Sequence, residues 1–337
     1  VEVSKKISII FYGSPEFALP SLQTLFNSDR IEIKAVVSQP VKERGRGKNL
    51  KPTPVAEFAR TNNLLLFEPN SLKKVDWVNL TPKENADPEL IRFIDFLKVS
   101  GKPDFSIVVA YGKLIPEELI KLANYDFLNV HPSSLPRWRG SAPLQRTLIE
   151  GDNESSVCIM SLTKELDAGP VYKEEKFSVP IEENLKSLHD RTSSLGAKLL
   201  LETVLEIVDK KIKPVEQKLE GLTYADKINP PDMAIDWNCN NLKIHNLIRG
   251  LSPAPGAFTK LSGKIVKIIS SYPVAEHNKE SSPGTIIINK KAKTLLVACG
   301  EGSTLEVLQL KPEGKGIINA SDFINGLKDI NNLIFTS

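Results

Sequence analysis

From Ile7 to Val208 this chain alternates short apolar runs with stretches of helical periodicity, and past Lys210-Lys211-Ile212-Lys213-Pro214 the alternation stops. That change of rhythm constrains the fold more than any other feature. Ile7 to Tyr12 is an apolar run closed by Gly13-Ser14-Pro15, and Phe17, Leu19, Leu22, Leu25 and Phe26 follow at helical spacing. Ile31 to Val37 is a second strand, with a helix near 54–62 after it. Phe105 to Tyr111 is a third buried run, followed by a helix at about 116–123 and a strand at 126–131. Strands separated by helices predict a doubly wound, mostly parallel, Rossmann-like α/β sheet. The polar stretch 72–103, helical around 88–99, reads as a surface excursion. Val171 to Val179 continues the sheet, and 184–208 is a long amphipathic helix. Beyond it, β-prone runs at 264–269, 284–288, 294–298 and 304–310 are separated by turn residues with little helix between them, the texture of a small, OB-like β-barrel. The expected boundaries are 5–205 for the α/β domain, 206–222 for a linker and 223–333 for the barrel.

Composition sets outer limits. With 337 residues, 41% of them hydrophobic and 25% charged, the chain can bury the core of more than one domain. A net charge of +3 admits a nucleic-acid partner without demanding one. Cys158, Cys239 and Cys299 are scattered, odd in number and without metal-ligand spacing, so free thiols in a reducing compartment are expected and no metal site. No apolar run approaches the ~18 residues of a membrane span, and no membrane partner is expected. The N-terminal residues lack a signal-peptide pattern. The expected compartment is the bacterial cytoplasm, or the mitochondrial matrix or plastid where a targeting segment has been removed. No long coiled-coil pattern calls for a dimer, so a monomer is expected.

The densest chemistry lies in 128–143, Leu-Asn-Val-His-Pro-Ser-Ser-Leu-Pro-Arg-Trp-Arg-Gly-Ser-Ala-Pro. Asn129 and His131 are two apart, so on a strand they share a face. Pro132 cannot donate to a ladder and ends that strand, and strand ends of open α/β sheets are where ligands bind. A lone histidine is more often structural than catalytic. His131 departs from that expectation because it ends a strand, shares a face with an amide and precedes a polar turn, whereas His189, His245 and His277 have no such setting. Asp167, in Leu166-Asp-Ala-Gly-Pro170, suits a turn former equally well; beside His131 its carboxylate would stabilise an imidazolium. Gly13-Ser14-Pro15 lacks the G-x-G-x-x-G spacing, and no acidic residue closes the second strand, which disfavours a nicotinamide oxidoreductase. Gly13 is then a turn glycine. Arg137-Trp138-Arg139-Gly140 fits a solvated basic turn or a grip on an anionic substrate. Lys42 to Lys51 carries five basic groups against one acid, in a Gly-flexible loop suited either to solvent or to phosphates. Lys260, Lys264, Lys267, Lys290, Lys291 and Lys293 extend the same two readings into the barrel.

Taken together, Asn129-Val-His131, the turn Ser133 to Pro143 and Leu166-Asp167-Ala-Gly169 resemble the signature of the formyltransferases that use 10-formyltetrahydrofolate. Phe11 to Ala18, Ser38-Gln-Pro through Gly45-Arg-Gly-Lys48, Val109-Ala-Tyr-Gly112, Thr223 to Lys227, Ile235-Asp-Trp237, Ile248 to Pro253 and Pro283-Gly-Thr285 are similar to the branch that formylates methionyl initiator tRNA. The resemblance covers nearly the whole chain. It implies a Rossmann-like catalytic domain, a linker and a C-terminal barrel that helps hold tRNA. It implies Asn129, His131 and Asp167 as the catalytic trio, Ser133, Ser134, Leu135 and Pro136 as the lining of the folate site, and 10-formyltetrahydrofolate as co-substrate. It also places Arg46 in the loop that reaches the acceptor end of the initiator tRNA, with Arg44, Lys48 and Lys51 as further tRNA contacts.

Three departures stand out. Ser134 occupies a position where Leu is common, Ala254 replaces an aromatic residue frequent between two prolines, and the charged segment 73–103 is longer than usual. Two rivals stand beside that reading, the first also an enzyme and the second of another class. One is a formyltransferase acting on a small amine, such as a purine precursor or an amino sugar, which would need neither the basic loop nor the barrel. The other is a tRNA-binding protein with a vestigial formyltransferase core, which would not need to keep the amide, imidazole and carboxylate.

Overall fold

The structure is a computed structural model that describes residues 5–44, 49–275, 280–327 and 333–336. The chain divides into two units. The first comprises Val1–Arg139, Ser156–Lys176 and Asp190–Thr223, and the second Gly140–Ser155, Phe177–His189 and Tyr224–Ser337.

The first unit is built on strands β1 (Ile7–Gly13), β2 (Ile31–Val37), β3 (Leu66–Phe67), β4 (Phe105–Val109), β5 (Asp126–His131), β6 (Glu154–Ser161) and β7 (Val171–Ser178), in the spatial order β7-β6-β5-β4-β1-β2-β3. The pairs β1–β2, β2–β3, β1–β4 and β4–β5 are parallel, and β6 runs antiparallel to β5. All five residues of β4 are buried and six of the seven in β1, as strands covered on both faces must be. The chain moves outward from β1 to β3 and then returns to β4 on the other side of β1. That reversal is a topological switch point, where the strand ends open a crevice.

One expectation changes here. Segment 72–103 is not a surface excursion. Leu72, Val75, Trp77, Leu90, Phe93, Ile94 and Leu97 pack with Tyr12, Val37, Phe67, Val108 and Phe127 in one core cluster. Its helix, Pro88–Ser100, is capped by Asp87, whose carboxylate accepts from the Leu90 amide. Charged residues on the outer side of that helix hid an inner apolar stripe. Gly13, the last residue of β1 before the turn, also answers a close approach: a Cβ there would stand 2.7 Å from the Phe11 ring and 2.9 Å from the Ala18 methyl.

The helix Leu185–Val208 covers part of the sheet. At its Gly196 an added Cβ would lie 2.7 Å from the Val130 side chain, so Val130 faces this helix. Strand alternation then turns Asn129 and His131 to the opposite face of β5.

The second unit contains an antiparallel sheet from Ala257–Leu261, Lys264–Val274, Ile286–Asn289, Thr294–Ala298 and Thr304–Pro312. Phe335–Thr336 pairs with Ala257–Leu261, and Ile334 bridges Thr285, which curls the sheet back on itself. Val266, Ile268, Leu295, Val297, Leu305, Val307 and Leu310 fill its interior, with Trp237 stacked on Phe335 at 5.5 Å between ring centroids. A helix at Asn241–Leu251, with Asn240 as N-cap, packs Ile244, Ile248 and Leu251 on that core. Among the described residues no helix is long and apolar enough to cross a membrane.

Candidate active site

At the switch point the strand ends are tied together. Ser14 Oγ and Gln39 Nε2, at the ends of β1 and β2, both donate to the Tyr111 carbonyl just past β4, at 3.3 and 2.8 Å. One strand further, Val108 of β4 pairs with Asn129 of β5.

Asn129, His131 and Asp167 are all buried, at 9%, 4% and 9% exposure, and the fold brings them together. Asn129 Nδ2 donates to Asp167 Oδ1 at 3.5 Å, and His131 Nδ1 stands 3.6 Å from Asp167 Oδ2. One carboxylate thus faces both an amide and an imidazole. The other ring nitrogen of His131, Nε2, lies 3.0 Å from the Trp138 carbonyl. A carbonyl only accepts, so Nε2 carries a hydrogen.

Asp167 reaches this position through an uncommon backbone. Its φ is +46°, in the left-handed region that a non-glycine residue adopts only when its surroundings hold it there. Two residues on, a Cβ at Gly169 would stand 1.9 Å from the Ser161 carbonyl, so the turn closes only with glycine. The neighbouring Leu166 is 64% exposed. Asp167 is the residue of this turn that points inward.

The remaining site residues fall into two sets. Ser133 Oγ donates to the Arg137 carbonyl at 2.7 Å, which braces the turn. Ser134 Oγ is 3.0 Å from Ser156 Oγ, which in turn is 2.8 Å from Glu174 Oε1. Ser156 is the donor in both contacts, its single hydrogen shared between the Ser134 hydroxyl oxygen and the Glu174 carboxylate. Leu135 and Pro136 are half-buried. Cys158 lies opposite His131 in the β6 ladder, and burial pushes its thiol up to about 12, an inert group. The basic loop forms a short hairpin, Lys42–Arg44 against Asn49–Lys51, with Arg44 opposite Asn49 and Lys51 exposed; Arg46 and Lys48 lie outside the described residues. His277 also lies outside them.

The turn Arg137-Trp138-Arg139 is less solvated than its charge suggests. Arg137 covers the Trp138 ring at 4.3 Å, and Arg139 is 6% exposed with Nε and Nη2 donating to Gln217 Oε1 at 3.0 and 2.8 Å. Sequence reasoning missed Gln217. It sits in a polar stretch with no periodicity, and nothing local marks it.

A family profile described as Formyl transferase matches residues 5–204, and one described as Formyl transferase, C-terminal domain matches 227–328. The chain belongs to the formyltransferase family. The methionyl-tRNA formyltransferase of Rickettsia bellii (strain RML369-C) is 38% identical to this formyltransferase over 323 residues, spanning 96% of this chain and 97% of that protein. Among solved structures, an N-formyltransferase from Helicobacter canadensis in complex with folinic acid and dTDP-3-aminofucose aligns with a TM-score of 0.65 at 15% identity, covering 89% of this chain and 98% of that one. A methionyl-tRNA formyltransferase from Clostridium thermocellum aligns with a TM-score of 0.51 at 16% identity, covering 79% and 93%. These two likenesses bear out the fold: a Rossmann-like sheet followed by a curled antiparallel one.

Proposed function

We propose that this formyltransferase moves the formyl group of 10-formyltetrahydrofolate to the α-amino group of methionyl initiator tRNA, for translation initiation. The observation that carries the reading is the convergence of Asn129, His131 and Asp167 at a strand end, in a chain alike over almost its full length to a Rickettsia methionyl-tRNA formyltransferase. Structural likeness does not choose the acceptor, since an amino-sugar enzyme aligns with the higher score. Full-length sequence identity does.

The donor set fits an acyl oxygen. Asn129 uses one of its two amide hydrogens on Asp167, which leaves one for the formyl oxygen as negative charge develops there. His131 keeps Nδ1 toward Asp167, so a charged ring is neutralised on that side. Its Nε2 hydrogen, held by the Trp138 carbonyl, turns to the oxyanion, a stronger acceptor than a neutral carbonyl. Preorganised donors of this kind contribute on the order of 3–4 kcal/mol each. The folate supplies the activated one-carbon group, held by the turn from Ser133 to Pro136. The α-amine forms the new C–N bond, the bond to the folate nitrogen breaks, and Asp167 serves as base for the proton that passes from one nitrogen to the other. The 42–51 loop and the second unit would hold the tRNA through its phosphates.

Single-turnover formylation of methionyl-tRNA, free methionine and small amines tests the reading. Transfer to methionyl-tRNA alone, weakening steeply with salt, is expected. Equal transfer to free methionine would assign the small-amine reading, and failure to consume 10-formyltetrahydrofolate with any amine would assign the vestigial one.

A further inference from the structure

Asp167 and the Trp138 carbonyl grip opposite nitrogens of the His131 ring, and they come from loops 29 positions apart in sequence (167 − 138). One side chain joins those loops. Gln217 Nε2 donates to the Asp167 carbonyl at 2.9 Å and to the Gly169 carbonyl at 2.7 Å, while Gln217 Oε1 accepts from both Nε and Nη2 of Arg139, the residue after Trp138. The contacts close a ring: His131 to Asp167, Asp167 to Gln217, Gln217 to Arg139, and back through Trp138 to His131.

We infer that Gln217 is a positioning residue for the formyl transfer, the clamp that holds Asp167 against His131 and Asn129. This rests on the trio acting as described under Proposed function. Three observations support it independently. First, the amide cannot be reversed: a guanidinium only donates and a carbonyl only accepts, so the nitrogen must face the Asp167 turn and the oxygen must face Arg139. Second, the turn it grips needs holding. Asp167 sits at φ +46°, a conformation that is unfavourable for a residue with a Cβ, and two hydrogen bonds to that turn's carbonyls offset such a cost. Third, Gln217 is set apart from its surroundings. Residues 213–216 and 218–221 are exposed, with Val215 at 70% and Leu219 at 75%, and Gln217 alone among them is turned inward.

The linker is therefore part of the active site's support. Moving Asp167 by a fraction of an ångström lengthens both of its contacts, already 3.5 and 3.6 Å, and misplacement on this scale costs rate rather than affinity.

Two variants test the inference. Gln217→Met keeps the length and removes every hydrogen bond; Gln217→Glu keeps the acceptor for Arg139 and sets an oxygen against the two carbonyls. Both are expected to lower kcat on the order of 10²-fold with KM for both substrates nearly unchanged. Thermal unfolding checks that each variant is folded. In an Asp167→Ala background, Gln217→Met should cause no further loss, because its effect passes through Asp167. Full kcat in both single variants would overturn the inference and leave the trio standing, as would a loss that simply multiplies with that of Asp167→Ala. Normal formylation by Asp167→Ala alone would instead remove the trio reading on which the inference is built.

Discussion

Two buried histidines, one in each unit, show how similar burial leads to different chemistry. His131 and His245 are each 4% exposed, and in each Nε2 donates to a backbone carbonyl, of Trp138 at 3.0 Å and of Ile181 at 2.9 Å. They differ at the other nitrogen. His131 Nδ1 faces the Asp167 carboxylate. His245 Nδ1 accepts from the Ser271 hydroxyl at 3.1 Å, the Tyr272 ring stands edge-on at 6.3 Å, and the Arg249 cation and the Glu182 carboxylate lie in its field. Burial holds the His245 imidazole below its ordinary value, with the nearby Arg249 adding to that effect. One ring stands beside an anion. The other is a neutral structural pin, tying Ile181 to Ser271 within the second unit. Burial says that a histidine has partners; the charge of the partner says what it can do.

His131→Ala should lower single-turnover formylation by about 10³-fold or more, whereas His245→Asn should leave the rate constant intact. Comparable losses in the two variants would abolish the distinction. Next, Asn129→Ala removes a neutral donor from the same strand face and should cost about 10²–10³-fold in kcat, with tRNA affinity, measured by filter binding, little changed. A raised dissociation constant at normal kcat would make Asn129 a binding residue instead.

Asp167→Asn sharpens the argument, because it keeps the shape of the side chain and removes only its charge. We expect a loss on the order of 10²-fold in single-turnover rate, smaller than that of His131→Ala. An unchanged rate would show that the carboxylate's charge is not what matters. The smallest effect concerns stability. A histidine held below its ordinary value of 6.5 contributes stability that is complete above 6.5 and is lost as pH falls through the lowered folded value. Calorimetric melting of the second unit should therefore drop by roughly 2–4 °C between about pH 7.5 and about pH 5.5, and His245→Asn should flatten that slope. A slope unchanged in the variant would assign the pH dependence to other groups.

Much of strand β5 was legible from the chain alone. Period-two alternation put Asn129 and His131 on one face, Pro132 ended the strand, and the structure places the end of β5 at His131. The helix Pro88–Ser100 was also visible, yet its surroundings were misjudged. Helical periodicity reports that an apolar stripe exists, and high local charge masked the fact that the sheet was there to receive it.

What the sequence by itself determined is everything that local periodicity and turn chemistry encode: an α/β half, a β-rich half, and an amide and an imidazole at one strand end. Tertiary structure alone decided which carboxylate meets them. Asp167 lies 36 positions beyond His131 (167 − 131), and Gln217 another 50 beyond that (217 − 167). Their meeting depends on a left-handed aspartate, a glycine that a carbonyl crowds and a glutamine turned inward from an exposed strand of chain. None of these is a repeat or a periodicity. Each is the outcome of closing long loops on one small volume, and that closure is set by packing over the whole unit rather than by any stretch of residues within it.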